Sequence, residues 1–149
     1  MQLQGTFEVN ASQPQTFRFL LDPQRLARHM PDVEGVQVED DRNFTLTAKV
    51  GVSHIKGTMT MKMTVLETQE PVSATLAGKG SGMASVVDMT TRFNLEDAGA
   101  GRTRVHWQGE AKIGGKLAAL GGGLMDRLAK QNLQRFIAGI QAGMNSAVV

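Results

Sequence analysis

The C-terminal stretch, residues 114–144, constrains the fold more than any other part of the sequence, because its apolar residues recur at roughly helical spacing. A helix of about 30 residues is about 45 Å long and can cross a whole small domain. Charged and amide side chains fall between the apolar ones, so the helix is amphipathic and must lie against another element. Its apolar stripe comprises Leu117, Leu120, Leu124, Leu128, Phe136 and Ile140.

Three consecutive glycines, Gly121, Gly122 and Gly123, interrupt the first half of this stretch. Each glycine in a helix interior costs about 1 kcal/mol relative to alanine, so the run predicts a kink or a break. Two interpretations are open. The run is either the boundary between a short helix and a longer one, or a flexible gate through which the start of the long helix moves.

The sequence before this helix is typical of an antiparallel sheet with two short helices. Residues 2–9 alternate between apolar and polar side chains, which predicts a strand. Ser12 and Pro14 predict the start of a first helix, and a second helix containing Leu26 and Met30 ends before Pro31. Further strands are predicted at 36–39, 44–50, 55–65, 72–80, 83–95 and 103–113, with hairpin turns at 78–82 and 99–101.

This order predicts an α+β fold in which a long helix and a curved sheet form a grip, with residues 1–149 as a single domain. About seven strands make a curved antiparallel sheet, two short helices follow the first strand, and the long amphipathic C-terminal helix covers one face. Glycines within the strands allow the bends that curl such a sheet.

Composition excludes several classes of function. The chain has no cysteine, which excludes disulfides, thiol catalysis and cysteine-ligated metals, and its net charge of +2 is scattered, so no nucleic-acid surface is expected. No apolar run approaches the roughly 18 residues of a membrane span, and the first residues lack a signal peptide pattern. We therefore expect a cytoplasmic protein without a membrane anchor of its own.

The sequence offers few groups for catalysis. None of His29, His54 and His106 is spaced to form a metal site with another ligand. No serine sits in a nucleophile elbow, and the inward strand positions hold no pair of carboxylates. The stretch 114–116 resembles part of a phosphate-binding loop but lacks its upstream glycine and its serine or threonine. We expect no catalytic residues, no metal and no turnover.

The methionines are the most informative candidates for binding. The chain has 9 Met and 17 Gly but only 6 Phe, 1 Trp and no Tyr, so flexible side chains must fill much of the interior. They are either core filler or the wall of an apolar pocket of about 300 to 1,000 Å³ between the helix and the sheet. The predicted lining residues are Met59, Met61, Met63, Met83, Val87, Met89, Trp107, Leu117, Leu120, Leu124 and Leu128.

Four stretches taken together resemble the CoxG family of carbon monoxide dehydrogenase subunits, within the helix-grip superfamily of Bet v 1 and START-like proteins. They are residues 22–34, residues 49–57, the Gly78-Lys79-Gly80 segment and residues 113–121. The resemblance covers roughly residues 2–140. It is the order and spacing of the stretches, rather than any single one, that carries it.

The resemblance implies an accessory protein of a carbon monoxide dehydrogenase-type molybdenum hydroxylase, without catalytic activity of its own. Such a protein would bind a hydrophobic ligand, a quinone or a lipid, and link the dehydrogenase to the membrane through transient contact with its inner face. No other cofactor is implied. Two alternatives remain: an adaptor that recruits the dehydrogenase without a ligand, and a cyclase or hydrolase on the same fold.

Overall fold

The computed structural model of the chain describes residues 1–30, 32–52 and 55–148, and within them it has the predicted α+β helix-grip architecture. The predicted end of the second helix at Pro31 and the candidate His54 lie outside the described residues. The strands are β1 (Gln2–Val9), β2 (Val33–Val38), β3 (Asn43–Val52), β4 (Ile55–Gln69), β5 (Ser73–Gly82), β6 (Ser85–Gly99) and β7 (Arg102–Gly115). The helices are α1 (Gln13–Leu20), α2 (Pro23–Ala27) and α3 (Gly122–Val148).

All seven of these strands join in one antiparallel sheet with the order β1-β7-β6-β5-β4-β3-β2. Strands β2 to β7 form a meander, and β1 closes the order by pairing with β7. The predicted hairpin turn at 99–101 is confirmed, because Gly99, Ala100 and Gly101 all have positive φ angles. Side chains alternate along each strand between an inner face, toward α3, and an outer face.

The prediction of a hairpin turn at the glycine-rich segment 78–82 is wrong. The segment belongs to β5, and the turn to β6 is made by Met83 and Ala84, whose φ angles are 55° and 56°. The predicted strand at 83–95 therefore begins two residues later. Gly78 and Gly80 stay in the strand because methionine side chains from the neighbouring strands lie over them, in space that a Cβ would fill.

The two short helices close one end of the sheet, a role that the sequence pattern assigns to the C-terminal helix alone. A capping box between Ser12 and Gln15 begins α1, and the Asp22 side chain caps α2. Phe17 of α1 packs edge to face on Phe93 of β6, with ring centroids 6.3 Å apart. Met30, predicted within the second helix, lies beyond its end.

The long helix begins later than predicted. Strand β7 continues to Gly115, a short 3-10 turn covers Ala118–Leu120, and Gly121 breaks the chain with a φ angle of 94°. α3 then runs for 27 residues, about 40 Å. The glycine run is therefore a boundary between two helical segments, as one of the two interpretations held. None of the described helices combines the length and apolar character that crossing a bilayer requires.

Candidate functional site

The well-packed part of the interior lies at the end of the sheet closed by α1 and α2. Ile140 and Met144 of α3 are almost completely buried there, against Val9, Ala11 and Phe19. A neighbouring cluster joins α1 to the ends of the strands: Phe17, Val65, Ala74, Leu76, Phe93, Leu95 and Val105. The C-terminal part of α3 is therefore held firmly on the sheet.

The opposite end is closed more loosely, by the segment between β7 and α3. Leu117 packs with Ile55 and Met59, and these three are the buried members of the cluster. Its partly buried members are Val50, Met61, Met83, Val87, Ile113, Leu120, Leu124 and Leu128. Two hydrogen bonds hold the backbone of this segment to the start of β6: Lys116 N donates to Ala84 O at 3.0 Å, and Leu117 N donates to Ser85 Oγ at 2.9 Å.

Between these two ends, the inner face of the sheet is apolar but incompletely covered. One row across the strands runs from Leu46 through Met61, Gly80 and Val87 to Ile113. Its members other than Gly80 all keep part of their solvent-accessible surface although they face α3. The next row consists of Phe44, Met63, Gly78, Met89 and Ala111. Its members other than Gly78 also keep part of their solvent-accessible surface.

The first half of α3 explains why this surface stays uncovered. Its apolar residues from Leu124 to Ile137 are partly exposed, and the helix buries no side chain before Ile140. The helix is thus fixed at its C-terminal end, whereas its first half contacts the closing cluster through the partly buried Leu124 and Leu128 and leaves the methionine rows incompletely covered. An apolar cleft results, with the methionine rows as its floor and Leu124 and Leu128 on its opposite side.

The methionines of the floor lie flat because the strand beside them carries glycines. Cβ atoms added at Gly80 and Gly78 would collide with the Sδ atoms of Met61 and Met63, respectively. Unbranched thioether side chains over glycines can rise or flatten at low cost. The floor can therefore adapt to ligands of different shapes.

The structure brings most of the predicted lining residues together, but not in one role. Met59 and Leu117 are buried in the closing cluster, whereas Met61, Met63, Val87, Met89 and Trp107 face the cleft with part of their surface exposed. Met83 sits in the β5–β6 turn over Gly57, and Leu120, Leu124 and Leu128 lie on the helix side. Their role in binding stays a prediction.

Sequence reasoning did not select several residues of the cleft, and it misplaced others. Leu46 and Ile113 belong to the floor, and period-2 alternation in their strands was the signal that could have found them. Phe136 is 40% exposed and does not belong to the apolar stripe, where Ile137 is partly buried instead. The break at Gly121 separates Leu117 and Leu120 from α3, but it does not account for the exposure of Phe136, which lies in the same helix as Ile140.

Trp107 is the one described residue with a buried polar side-chain atom that lacks a hydrogen-bond partner. Its Nε1 is inaccessible to solvent and donates to no described acceptor. The indole lies across Gly5 of β1, where an added Cβ would fall 2.9 Å from the ring. An unsatisfied buried donor costs about 1 to 3 kcal/mol, so the indole N–H lowers the stability of the ligand-free protein.

Replacing Trp107 with phenylalanine is expected to leave the free energy of unfolding within about 1 kcal/mol of the wild type, because loss of the unsatisfied donor offsets loss of ring contacts. Denaturant melts of the two proteins measure this. Gly5→Ala is the comparison, since its methyl group would press on the same ring and should destabilise. A loss of more than about 2 kcal/mol in Trp107→Phe would mean that the N–H is satisfied in solution.

The glycine run lies free of neighbours. Cβ atoms added at Gly121, Gly122 or Gly123 would meet no atom within 4 Å, so close packing does not require these glycines. Only Gly121 has a backbone angle that other residues rarely adopt. The three residues follow the tethered Leu117 segment and precede the part of α3 that covers the sheet incompletely, which is where a hinge would have to be.

The depressions on the outer face of the sheet are of a different kind. One, of about 560 Å³, crosses β1, β7 and β6 and is lined by Gln2, Leu3, Gln4, Thr90, Arg92, Gln108, Gly109 and Glu110. A smaller one beside it, of about 260 Å³, includes His106 and Asn94. Their polar linings do not suit an apolar ligand, and the predicted lining residues, Trp107 in the smaller one excepted, do not contribute to them.

The titratable groups are directed away from the cleft. His106 is on the outer face, with Nδ1 3.1 Å from Thr6 Oγ1 and Nε2 3.0 Å from Glu96 Oε1. Hydrogen bonds from His106 and then from Arg104 hold the pKa of Glu96 below its usual value. His29 packs beside Phe19 and Gly143. Among the described residues, no group of His, Asp and Glu is arranged to hold a metal ion.

A family model for the CoxG subunits of carbon monoxide dehydrogenase matches residues 5–145 of the chain. This match includes the stretches on which the resemblance rested. The comparison with curated protein sequences gave no match.

Solved structures share the fold at low sequence identity. A conserved protein from Geobacillus kaustophilus is 20% identical, with a TM-score of 0.90 over 99% of this chain and 97% of its own. A START superfamily protein from Mycobacterium smegmatis is 13% identical, with a TM-score of 0.74 over 98% of both chains. An aromatase/cyclase from Streptomyces sp. R1128 is 15% identical, with a TM-score of 0.73 over 100% of this chain and 96% of its own. These likenesses establish the fold.

Proposed function

The chain belongs to the CoxG family of carbon monoxide dehydrogenase subunits, and from that premise we propose that it is a non-catalytic accessory protein that carries an apolar molecule in the cleft. The ligand is an isoprenoid quinone or a lipid. The partner that receives it is a dehydrogenase of the carbon monoxide dehydrogenase type, and the carrier links that enzyme to the membrane.

The observation that carries this proposal is the uncovered apolar floor. Met61, Met63 and Met89 face the long helix, yet they keep part of their surface exposed because α3 does not cover them completely. Each Å² of apolar surface left in water forgoes about 25 cal/mol of stabilisation. A ligand that fills the cleft recovers this free energy without requiring the helix to move closer.

The lining favours a long neutral ligand. The described strand residues that line the cleft carry no charged side chain, and their polar groups are hydroxyls such as Thr91 and the indole N–H of Trp107. Burial of an isoprenoid chain contributes about 0.8 kcal/mol per carbon group, and a bilayer offers nearly the same. Exchange between membrane and cleft is then close to isoenergetic, which suits a carrier rather than a store.

A cyclase on the same fold is the second candidate, favoured by the likeness to the Streptomyces aromatase/cyclase. Cyclisation requires groups that transfer protons in contact with the substrate. The described strand residues that line the cleft supply no carboxylate, histidine, lysine or arginine for this role. The accessory role is therefore the better supported of the two.

Native mass spectrometry of the purified protein, followed by solvent extraction, tests the proposal. The expected result is a protein with one noncovalently bound apolar molecule, which is recovered chemically unchanged after incubation. A protein that carries no ligand and takes none up from quinone- or lipid-loaded vesicles would support a ligand-free adaptor. A ligand recovered in altered form would support the cyclase alternative.

The glycine run is proposed to act as the gate of the cleft. Replacing Gly122 and Gly123 with alanine should slow ligand exchange with vesicles and raise stability by up to about 1 kcal/mol, because alanine favours the helical first turn and its methyl group meets no neighbour. Stopped-flow transfer of a fluorescent quinone analogue and a thermal melt measure the two effects.

Gly121→Ala is the control for this pair. It should lower stability, because alanine adopts a φ angle of 94° only with strain. Stability is therefore not expected to rise if all three glycines are replaced together. If exchange in the Gly122→Ala, Gly123→Ala variant is as fast as in the wild type, the ligand does not pass by this route.

A further inference from the structure

Methionine supplies all the sulfur of this chain, which has 9 methionines and no cysteine. The fold sorts these residues by exposure. Met59 is 6% exposed and Met144 is completely buried, whereas the other methionines keep part of their surface in solvent. Those are Met1, Met30, Met61, Met63, Met83, Met89 and Met125. A small oxidant dissolved in water therefore reaches some thioethers and not others.

Three of the partly exposed methionines lie side by side in the floor of the cleft. Met63 and Met89 flank Gly78 in the sheet, and Met61 Cε lies 3.2 Å from the position that a Cβ atom on Gly78 would take. The Sδ atoms of Met61 and Met63 lie over the glycine backbone of β5, which closes their sheet side. The open approach to these two sulfur atoms is from the cleft.

Hydrogen peroxide is the class of oxidant that suits these thioethers. The sulfur atom attacks one peroxide oxygen, the O–O bond breaks as the S–O bond forms, and the leaving hydroxide takes up the remaining proton and departs as water. Sulfur is oxidised and the peroxide is reduced. The product is methionine sulfoxide, which carries a polar acceptor oxygen on a formerly apolar side chain, and methionine sulfoxide reductases reverse the reaction.

A sulfoxide in the floor would have no side-chain donor beside it. The strand neighbours of these methionines within the two rows include Gly78, Gly80, Val87 and Ala111, none of which has a polar side-chain atom. The sulfoxide oxygen stays hydrated while the cleft is empty, but a ligand that covers it removes that water. Oxidation therefore opposes ligand binding, while the packing around Met144 is untouched.

We propose that Met61, Met63 and Met89 are sites of reversible oxidation by peroxide, which turns ligand binding off without unfolding the protein. The inference rests on the proposed function, because it concerns the same cleft. Protection is mutual, since a bound ligand covers the sulfur atoms. The empty carrier is then the form that is oxidised.

Peroxide treatment followed by peptide mass spectrometry tests which methionines react. Sulfoxide is expected at Met61, Met63 and Met89, with Met59 and Met144 unmodified and the thermal melt still cooperative. Saturating decylubiquinone during the treatment should protect the three floor methionines but not Met30. Oxidation of Met59 as fast as that of Met61, or equal oxidation of the floor with and without the quinone, would overturn the inference.

Equilibrium dialysis of decylubiquinone before and after oxidation tests the consequence for binding. The oxidised wild type should bind about 10- to 100-fold more weakly, because a covered acceptor is left unpaired, and sulfoxide reductases should restore the affinity. Leucine has nearly the same volume as methionine and no sulfur atom. The affinity of the floor variant with Met61→Leu, Met63→Leu and Met89→Leu, whatever its starting value, should therefore change by less than about twofold on peroxide treatment.

The matched control combines Met30→Leu with Met125→Leu, which removes partly exposed thioethers outside the floor, and it should lose affinity on oxidation as the wild type does. An equally large loss in the floor variant would overturn the inference, as would an oxidised wild type that binds as tightly as before. The proposed function would stand in both cases. An unoxidised protein that takes up no quinone would instead contradict the proposed function, and the inference with it.

Discussion

Replacing Met61 with tryptophan is expected to abolish ligand binding while leaving the free energy of unfolding within about 1 kcal/mol of the wild type. Met61 lies at the centre of the floor, over Gly80, and is only partly buried. An indole there would extend into the cleft and displace about four carbon groups of a ligand, at about 0.8 kcal/mol each, which corresponds to at least about 100-fold in affinity. Quinone titrations and denaturant melts on the same samples measure both quantities.

Lys62→Trp is the matched control, because it adds the same ring one residue along β4, on the outer face. It should bind ligand as the wild type does. In a filled core, by contrast, Met61→Trp would overpack the interior and cost about 1 to 3 kcal/mol. A strongly lowered melting point would therefore contradict the cleft, whatever happens to binding.

Ile140→Ala is expected to destabilise the protein by about 2 to 5 kcal/mol, the largest stability effect that we predict. Ile140 is 1% exposed and packs with Phe19 and Met144, where α3 is fixed to the rest of the fold. Leu128→Ala, in the first half of the same helix, should cost no more than about 1 kcal/mol, because Leu128 is only partly buried. Chemical denaturation of both variants gives the comparison.

The two substitutions remove similar apolar volume from one helix, so their difference reports how each half contacts the sheet. Equal costs would mean that the start of α3 is packed as firmly as its end, and the cleft would be closed in solution. Saturating ligand should also raise the cost of Leu128→Ala, because a bound ligand would contact Leu128. That increase separates a ligand-binding helix from one that is merely loose.

Local patterns in the sequence were sufficient for most of the fold. Alternation placed β1 at residues 2–9, Ser12 and Pro14 placed the start of the first short helix, and the glycines at 99–101 placed a turn. Each of these patterns determines the local structure of a few consecutive residues, and at these positions the tertiary contacts do not change that structure. The long C-terminal helix followed from its amphipathic period in the same way.

The remaining features depend on contacts between distant residues. Gly78 and Gly80 looked like turn residues, but methionines of neighbouring strands occupy the space above them, and this cannot be seen from one strand. Phe136 looked inward because it lies at helical spacing from Leu128 and Ile140, but its 40% exposure depends on which other elements cover that part of α3. The partial exposure of the first half of α3, on which the candidate site rests, depends on how α1 and α2 pack at one end of the sheet and cannot be read from the helix alone.

Fluorescence quenching of Trp107 by a quinone tests the central claim most directly. Trp107 is the only tryptophan of the chain, and its indole faces the cleft, so its emission responds to a quencher bound there. In the wild type, quenching should saturate at one quinone per protein. Lys62→Trp should show the same saturable quenching once the emission of its second indole is subtracted. Met61→Trp should show no saturable quenching. Quenching that rises only linearly with quinone concentration, or saturable quenching that persists in Met61→Trp, would contradict ligand binding in the cleft.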